Sequence, residues 1–445
     1  MHVLFVEVDT ERSWAVASIG PGFLAAYLRQ NGHTVSFFRY SVDHSEADVL
    51  DVIKQTGAEL LGLSLTTRQW LRTKSLVATV RKDINIPVIA GGLHPTFSAD
   101  EVLAAEGFDY ACLGEGELAM LDVIHALEAG EPVENIDNIQ TKIGQKPRLR
   151  PPFTPLDNMP FAARDVLGEH HGVVHMTTQR GCPFPCTYCA ARMYNQLYKE
   201  NDAEYGRRRT VRNVMDELHA LNDAGDFAYA IFLDDTFTIH HPWVKEFCDV
   251  YGHELGKPFS LHARVETVNE NMLHMLSKAG CDQITYGVES GSPRIRYDVM
   301  RRPVKNQRFI DVFRWTQEAG IRVTANFMLG LPEETPEDLQ MTVDLATQLD
   351  IMDFGYFVFY PYPGTQLFQI ALAKGYIPDD YQGRPANHRE SILTLPTLTN
   401  ADIAHAYDQL TALRRRLYMD RLGFDPTAEQ VAGAADHVAD LARVG

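Results

Sequence analysis

Short apolar runs alternate with amphipathic segments along the first 130 residues of the chain. Runs of this length predict β-strands, and the longer segments between them predict helices. The predicted strands span 3–8, 34–40, 60–65, 87–90 and 110–113. The predicted helices span 20–31, 46–56 and 70–82, and two more begin at about Ser98 and at Glu115. Such alternation predicts an α/β fold whose sheet is parallel, open and doubly wound.

The same alternation returns at residue 173 with a wider spacing between the apolar runs. Each run is followed by a helical pattern, and the predicted strands span 173–178, 229–233, 259–262, 283–286, 323–328 and 355–359. Six consecutive strand–helix units predict a partial (β/α)6 barrel of the TIM type. We expect the chemistry of this half to lie at the carboxyl ends of its strands.

Proline separates the two halves of the chain. The stretch 131–164 contains six prolines, which remove backbone donors and interrupt helices. We therefore predict an extended linker between an N-terminal domain at 1–130 and a barrel at 165–375.

A helical extension is predicted after the barrel, at 376–445. Its helices are expected at 400–422 and from about Thr427, because apolar residues recur there with helical spacing. The pattern is compatible with a lid that packs on the barrel or with a dimer interface.

The composition is that of a globular protein with an acidic surplus. Apolar residues make up 45% of the 445 residues, and 41 Lys and Arg against 59 Asp and Glu give a net charge of −18. Phosphate backbones require clustered cations, so this surplus argues against nucleic acid as a partner. The chain has neither an apolar run long enough to span a membrane nor a signal-like N-terminus, which predicts a cytoplasmic protein.

Three of the six cysteines stand together directly after the first predicted barrel strand. Cys182, Cys186 and Cys189 follow one another in a C-x3-C-x2-C spacing. Three thiolates on one loop can bind three irons of a four-iron cluster and leave the fourth iron open to another ligand. A structural zinc site is the alternative, and it would need a fourth ligand to complete its tetrahedron.

This loop resembles the cysteine motif of the radical S-adenosylmethionine (SAM) family, in which an aromatic residue precedes the last cysteine. Further along, 287–291 resembles the Gly-x-Glu segment of that family, and 326–333 resembles its Gly-x-Ile-x-Gly-x-x-Glu segment with Asn326 in place of the first glycine. The resemblance implies a [4Fe-4S] cluster on the three cysteines, with SAM bound to the open iron. The residues that it places near SAM are Tyr188, Arg264, Glu289, Asn326 and Met328.

More polar residues follow the predicted barrel strands, at the edge where the chemistry is expected. They are Asp234, Asp235, Glu266, Glu333 and Tyr360. Asp234 and Asp235 have two open interpretations, because Asp after a strand often caps the next helix and can equally serve a polar active site. His240 and His241 are predicted to start a helix and to bind no metal.

The N-terminal domain resembles the cobalamin-binding domain that is fused to many radical SAM enzymes. The resemblance rests on Gly-His-Thr-Val at 32–35, Ala-Gly-Gly-Leu-His-Pro-Thr at 90–96 and Leu-Gly-Glu-Gly-Glu at 113–117. In that family the strand-end loops embrace the corrinoid. The corresponding residues here are Ser64, Thr66, Gly91, Gly92, Gly114, Glu115 and Gly116.

One feature of many cobalamin proteins is missing. They place a cobalt-binding histidine shortly after the first strand, whereas here Asp9 is followed by Thr10 and Glu11. The resemblance therefore implies a cobalt without a protein imidazole on its lower face. His94 is predicted to be a hydrogen-bond partner within its loop rather than a cobalt ligand.

The resemblance implies an enzyme that uses SAM in two ways. One electron from the reduced cluster cleaves SAM to methionine and a 5′-deoxyadenosyl radical, and a second SAM supplies a methyl group through cobalamin. We expect a cobalamin-dependent radical SAM methyltransferase that acts on an unactivated carbon of a small molecule, with an external electron donor such as flavodoxin or ferredoxin. Two alternatives stay open: a cyclase or rearrangement enzyme without methyl transfer, and a non-catalytic protein that binds an iron–sulfur cluster and a corrinoid.

Overall fold

The computed structural model describes residues 1–11, 19–143, 146–169, 171–225 and 227–423. Two compact units can be distinguished. The first contains Met1–Glu169 together with Met193–Arg207, and the second contains His170–Arg192 together with Arg208–Gly445. The predicted α/β class is confirmed, and the described strands form two six-stranded sheets and a two-stranded sheet of Gln179–Arg180 and Arg207–Arg208.

The first unit is built around a six-stranded sheet. Its strands are β1 (His2–Val8), β2 (Thr34–Tyr40), β3 (Leu60–Ser64), β4 (Val88–Gly91), β5 (Tyr110–Cys112) and β6 (Ile139–Thr141). Its helices are α1 (Ile19–Gln30), α2 (Glu46–Thr56), α3 (Trp70–Val80), α4 (Leu93–Ala104), α5 (Glu117–Ala129) and α6 (Arg164–Leu167). The strand order is β2-β1-β3-β4-β5-β6, which confirms the doubly wound topology and places the reversal of strand order between β1 and β3.

Two details of the first unit differ from the sequence prediction. The proline-rich stretch 131–164 is not an extended linker throughout, because β6 joins the sheet by pairing antiparallel with β5 and Leu156–Asn158 forms a short 3-10 turn. The prolines stand on both sides of β6 and leave its backbone donors available. Helix α4 begins at Leu93 rather than at about Ser98, since Pro95 is tolerated in a first helical turn, and Ser98 instead marks a kink with non-helical φ and ψ.

The second unit contains six parallel strands in the order β14-β13-β12-β11-β10-β7. Its strands are β7 (Val173–Met176), β8 (Gln179–Arg180), β9 (Arg207–Arg208), β10 (Tyr229–Phe232), β11 (Phe259–Ala263), β12 (Cys281–Glu289), β13 (Arg322–Leu329) and β14 (Asp353–Val358). The unit boundary falls after the first residue of β9. The six parallel strands confirm the predicted partial barrel.

Helices follow the strands of the second sheet. They are α7 (Ala190–Lys199), α8 (Val211–Asp223), α9 (His241–Glu254), α10 (Glu270–Ala279), α11 (Asn306–Glu318), α12 (Pro336–Gln348), α13 (Gln366–Ala373) and α14 (Asn400–Leu422). The unit boundary also divides α7, which belongs to the first unit from Met193 onward. Because the strands are parallel, all their carboxyl ends lie along one edge of the sheet.

Helix α14 is fixed to the last strand of this sheet by a buried ion pair. The guanidinium of Arg414 donates to both carboxylate oxygens of Asp353, at 2.7 and 2.9 Å, and the hydroxyl of Tyr418 donates to the same carboxylate. The predicted extension therefore begins as a helix that packs on the barrel. The second helix, predicted from about Thr427, lies outside the described residues. In the part of the chain that the structure describes, no helix is long and apolar enough to cross a membrane.

Candidate functional site

The cysteine loop of the second unit is fastened at its middle by Thr187. The Thr187 hydroxyl donates to the carbonyl of Val299 at 2.7 Å, and its N–H donates to the carbonyl of Met300 at 3.2 Å. Its own carbonyl accepts from the N–H of Leu367. A buried residue that uses all three of its polar groups in this way fixes the loop to neighbouring elements.

The entry to the cysteine loop is held by Asp234, at the carboxyl end of β10. Its carboxylate accepts from the N–H of Thr178 at 2.8 Å, from the hydroxyl of Thr178 at 2.9 Å and from the N–H of Gln179 at 2.9 Å. Burial raises the pKa of Asp234 to about 6, and these three donors oppose the shift. Of its two open interpretations, helix capping does not describe these contacts, since Asp234 organises the backbone that leads to the cysteines.

Polar groups approach the cysteine sulfurs from two sides. The Nη1 of Arg264 lies 3.0 Å from Sγ of Cys186, and the hydroxyl of Thr236 lies 3.8 Å from Sγ of Cys182. The guanidinium of Arg264 also lies 3.9 Å from the ring centroid of Phe184. Hydrogen-bond donors and a cation around sulfur stabilise thiolates, which are the ligands that an iron–sulfur cluster needs.

The burial of the three cysteines differs. Cys182 and Cys186 are buried, and Cys189 is partly exposed. Although part of Cys189 is exposed, the low solvation of its thiol and the nearby carboxylate of Asp235 raise the pKa of that thiol to about 12, and a bound metal would favour the thiolate. The donor set of three thiols on one anchored loop thus fits a cluster that offers one iron for each sulfur.

A single metal ion places different demands on its ligands. Among the described residues, no three His, Cys, Asp or Glu side chains come together in a group that could hold one metal ion. Cysteines of a four-iron cluster each bind a different iron and need not converge on one point.

A second group of charges lies at the carboxyl ends of β11 and β12. Arg264 pairs with Glu266 at 2.6 Å, and Arg302 lies 3.4 Å from Glu289 and 3.7 Å from Glu266. Arg302 is 2% exposed, yet its Nε and Nη2 atoms have no hydrogen-bond partner among the described residues. Buried guanidinium donors without partners are costly, which indicates that this position suits an anionic ligand.

Glu289 ends β12 with a left-handed backbone, at φ 69°. Such a conformation is strained in a residue other than glycine and occurs preferentially at functional sites. Burial raises the pKa of Glu289, whereas Arg302 and Arg264 lower it. A carboxylate held beside two cations can accept a hydrogen bond from an ammonium group, as the sequence resemblance requires of this position.

The other residues predicted to contact SAM occupy the same edge or the same sheet. Burial raises the pKa of the Tyr188 phenol, and the nearby carboxylate of Glu289 raises it further. Asn326 and Met328 alternate with buried residues along β13, and both are partly exposed on the opposite face. A Cβ added at Gly355 would lie 2.7 Å from Oδ1 of Asn326, which places the amide against β14. The structure thus brings Tyr188, Glu289 and Arg302 together, while Asn326 and Met328 line β13.

Two adjacent acidic residues in the loop after β13, Glu333 and Glu334, have different surroundings. Glu333 forms an ion pair with Lys374 and accepts from the hydroxyl of Tyr376. Glu334 is fully buried, and its Oε2 accepts from the N–H groups of Gly330 and Leu331 at 2.7 and 3.0 Å. Burial raises the pKa of Glu334 to about 8. The carboxylate that organises this loop is therefore that of Glu334, and the motif position of Glu333 stays a prediction of the resemblance.

His240 caps a helix, as predicted. Its Nδ1 accepts from the N–H of Trp243 at 3.2 Å, and His241 is the first residue of α9. His240 and His241 therefore begin α9.

In the first unit, the strand-end loops after β3 and β4 are joined by backbone hydrogen bonds. The N–H of Leu65 donates to the carbonyl of Gly91 at 2.8 Å, and the N–H of His94 donates to the carbonyl of Leu65 at 3.0 Å. Gly92 has φ 94°, and an added Cβ would lie 2.8 Å from the carbonyl oxygen of Leu65. Only glycine permits this approach, which brings Ser64 to the same edge.

Two further predicted corrinoid residues also lie at this edge. Thr66 caps a short turn with Gln69, to which its N–H and hydroxyl both donate. An added Cβ at Gly116 would touch Leu24 at 3.3 Å. In a sheet of this topology, ligands bind at the carboxyl edge where the strand order reverses, so hydroxyls and exposed backbone there fit a large flat ligand.

Glu115 has a more specific role than the sequence suggested. Its carboxylate pairs with Arg207 and accepts from the N–H of Phe153 at 2.7 Å. Its own N–H donates to the hydroxyl of Tyr198 at 3.0 Å. The carboxylate is therefore committed to contacts within the first unit, and so is the Glu115 carbonyl, which accepts from the side-chain amide of Asn138 at 3.0 Å.

The imidazole of His94 is enclosed. It is 2% exposed, packs 4.8 Å from the ring of Trp70 and lies 3.3 Å from the hydroxyl of Thr67. Burial lowers its pKa to about 4, which keeps it neutral. At the expected position of a cobalt-binding histidine, Glu11 pairs with Arg68 at 2.7 Å.

Two family models match the chain. The model of the B12 binding domain matches residues 15–124, and the model of the Radical SAM superfamily matches residues 176–346. The first match lies within the first unit. The second includes the three cysteines and the strands from β10 to β13.

Individual relatives share both halves. An uncharacterized methyltransferase of Pyrococcus horikoshii is 28% identical over 84% of this chain and 83% of its own length. An anaerobic magnesium-protoporphyrin IX monomethyl ester cyclase of Rubrivivax gelatinosus is 26% identical over 83% of this chain and 70% of its own length. The solved structure of the radical SAM methyltransferase TsrM from Kitasatospora setae, with cobalamin and a [4Fe-4S] cluster bound, is 16% identical with a TM-score of 0.68, and the match covers 100% of this chain and 89% of that one.

Proposed function

We propose that this chain, which belongs to the radical SAM superfamily and carries a B12-binding domain, is a cobalamin-dependent C-methyltransferase. Its proposed substrate is a small molecule or natural-product intermediate that is methylated at an unactivated carbon. The observation that carries the proposal is the presence of both domains in one chain with their strand-end loops formed. When bound, the cluster with SAM supplies a carbon-centred radical, and the corrinoid supplies the methyl group.

The protein's own part begins with the cysteine loop. Cys182, Cys186 and Cys189 would hold three irons, and the anchors at Thr187 and Asp234 would keep the loop in place. Arg264 beside Cys186 would stabilise the negative charge on that sulfur. These contacts restrict the position of the cluster before any substrate binds.

SAM would be oriented by the charges at the ends of β11 and β12. Glu289 would accept from the SAM ammonium, and Arg302 would donate its unpartnered Nε and Nη2 groups to the SAM carboxylate. Tyr188 and the partly exposed residues of β13 would pack beside the adenosine. Opposite charges in an apolar surrounding interact strongly, so this arrangement favours one orientation of SAM.

Aromatic side chains after β14 would help to exclude water. Tyr360 and Tyr381 are buried, with ring centroids 5.6 Å apart, and Tyr362 and Phe368 pack beside them. A dry cavity protects a radical from side reactions. We assign this cluster and the chain after it to the substrate side of the site.

The proposed partners follow from charge and architecture. A net charge of −18 opposes binding to a polyanion, which favours a small-molecule substrate over nucleic acid. Reduction of the cluster would require an external electron donor such as flavodoxin or ferredoxin.

Product analysis with labelled SAM tests the proposal. The protein is reconstituted anaerobically with iron, sulfide and hydroxocobalamin, reduced, and incubated with methyl-deuterated SAM and a small-molecule extract of the host cells. We expect a product that carries the deuterated methyl group, with S-adenosylhomocysteine and 5′-deoxyadenosine formed in about equal amounts, since each turnover consumes two SAM molecules. A product without 5′-deoxyadenosine would indicate methylation of a nucleophilic carbon instead.

A cyclase or rearrangement enzyme is the second candidate, and the relative named as a cyclase favours it. In that case 5′-deoxyadenosine would accumulate with an altered product that contains no deuterium from SAM. A protein that binds iron and corrinoid but never cleaves SAM would contradict both enzymatic proposals.

A further inference from the structure

A short segment after the cysteine loop belongs to the first unit. Met193–Arg207 clusters with that unit, although it lies outside the residues that match the B12-binding model. Tyr198 is its most deeply buried side chain, at 0% exposure. It packs in one apolar cluster with residues of α4, β5 and the loops nearby, namely Ala99, Leu103, Ala111, Leu113 and Leu149.

The segment is stiffened by stacked tyrosine rings. Tyr205 stacks on Tyr198 with ring centroids 4.9 Å apart, and it stacks on Tyr194 with centroids 5.0 Å apart. Phe97 of α4 contacts the edge of Tyr194 at 5.4 Å. Stacked aromatic rings stabilise one another beyond the effect of the surface area that they bury. The segment is therefore a packed part of the unit rather than a loose loop on its surface.

The hydroxyl of Tyr198 touches the loop that the sequence assigns to the corrinoid. It accepts from the N–H of Glu115 at 3.0 Å. Gly114 has φ 74°, and an added Cβ would lie 2.6 Å from the same hydroxyl. The loop conformation and the position of Tyr198 therefore depend on each other.

A buried ion pair makes the second connection. Arg207 pairs with Glu115, and the two side chains are 10% and 9% exposed. The other oxygen of the Glu115 carboxylate accepts from the N–H of Phe153. Removal of one partner would leave a buried charge without compensation, so the pair holds the loop firmly.

We infer that Tyr198 and Arg207 are positioning residues for the corrinoid, which they would affect through the backbone of Gly114, Glu115 and Gly116. The inference rests on the proposed binding of a corrinoid at this edge. A loop binds a ligand more tightly when its conformation is fixed in advance, and here a segment encoded after the cysteine loop contacts the loop and holds it. The first unit is incomplete without that segment.

The variant Tyr198→Phe tests the inference in the full-length chain. It keeps the stacked ring and removes the partner of the Glu115 N–H, which should weaken the affinity for hydroxocobalamin by about tenfold. Affinity is measured by optical titration of the corrinoid-free protein under anaerobic conditions. The iron content after cluster reconstitution should stay at the wild-type value, because the cysteine loop does not use this hydroxyl.

Tyr251→Phe is the matched control. Its hydroxyl is also buried and donates to the carbonyl of Lys257 at 3.0 Å, but it belongs to α9 in the second unit. We expect this variant to bind hydroxocobalamin with wild-type affinity. Equal losses in the two variants would reduce the effect of Tyr198 to general destabilisation and overturn the inference.

Gly114→Ala alters the same contact from the other side. The added Cβ would meet the Tyr198 hydroxyl, so the variant should also lose corrinoid affinity while it retains iron. Wild-type affinity in both Gly114→Ala and Tyr198→Phe would refute the positioning role. If the wild-type protein itself bound no hydroxocobalamin, the proposed corrinoid site would fail instead, so the two failures are distinguishable.

Discussion

The carboxyl edges of the two large sheets present different kinds of chemical group. In the first unit, the edge carries glycines, hydroxyls and backbone groups, and the carboxylate of Glu115 is occupied by Arg207 and Phe153. In the second unit, the edge carries charged side chains that face one another, among them Arg264, Glu289 and Arg302. The first edge is suited to recognition by shape and the second to recognition by charge.

This difference has a consequence for how each site tolerates change. A site formed by glycines and main-chain groups offers few side chains to replace. Its properties are therefore altered mainly by substitution of the residues that pack against the loop. A charged site is altered directly, since each side chain at the edge carries its own interaction. Substitutions should therefore act at a distance in the first unit and locally in the second.

The largest effect is expected from the cysteine loop. Cys186→Ala should abolish cluster binding and SAM cleavage, because the cluster loses one of its three ligands. The affinity of the first unit for hydroxocobalamin should stay unchanged. Iron content, 5′-deoxyadenosine formation and the optical titration check the three statements. Cys248→Ala, which removes a buried thiol of α9, should retain the cluster. A Cys186→Ala protein with normal iron and normal SAM cleavage would disprove the assignment.

The next effect concerns the charges at the second edge. Arg302→Gln should weaken SAM binding by about 10- to 100-fold, the range for the loss of a charge-assisted hydrogen bond. The electron paramagnetic resonance spectrum of the reduced cluster, titrated with SAM, measures the affinity. Arg308→Gln is the control, since the guanidinium of Arg308 donates to the carbonyls of Val265 and Val268, at 3.0 and 2.7 Å, and lies over the ring of Trp315. Equal SAM affinities in Arg302→Gln and the wild type would remove Arg302 from the site.

A smaller effect is expected at the entry to the cysteine loop. Asp234→Ala removes the acceptor of three hydrogen bonds and should cost about 2–4 kcal/mol of stability, with partial loss of iron on gel filtration. Chemical denaturation and iron analysis measure the two quantities. Asp282→Asn, at the amino end of β12, should retain its iron. The role given to Asp234 fails if both variants keep the same amount of iron.

The smallest effect depends on pH. The pKa of Glu334 is raised from 4.5 to about 8 in the folded protein, so the folded state binds more protons than the unfolded state between these values. Stability should therefore fall as the pH rises through this window. Glu334→Gln removes the titration, and its melting temperature relative to the wild type should increase between pH 6 and pH 9. A constant difference between the two proteins would show that Glu334 does not titrate there.

The sequence predicted the features that depend on local patterns. Strands 34–40 and helices 46–56 and 400–422 have the predicted bounds, because apolar spacing and capping residues mark their ends. The cysteine loop was located from its spacing and from the resemblance that this spacing carries, and its role as the cluster ligand stays a prediction. The carboxyl-edge positions of Arg264 and Glu289 followed from the strand order that the alternation implied.

The residues that the sequence did not reveal depend on contacts between distant segments. Arg302 follows another arginine and reads as part of a solvated pair, and only the fold buries it beside Glu289. Glu334 and Glu333 are chemically identical in sequence, and burial distinguishes them. Tyr198 contacts a loop 83 residues earlier in the chain, a distance at which no periodic pattern reports a contact.

The first unit consists of two separate segments of the chain. This division affects the synthesis of the protein and the recombination of its gene. Met1–Glu169 leaves the ribosome first, but Met193–Arg207 is made only after the cysteine loop has been translated. Domains usually fold as units while synthesis proceeds. The first unit cannot complete its packing until Met193–Arg207 has been synthesised. A single genetic crossover after residue 169 would therefore transfer a first unit without its tyrosine stack, so the two modules are best exchanged as one.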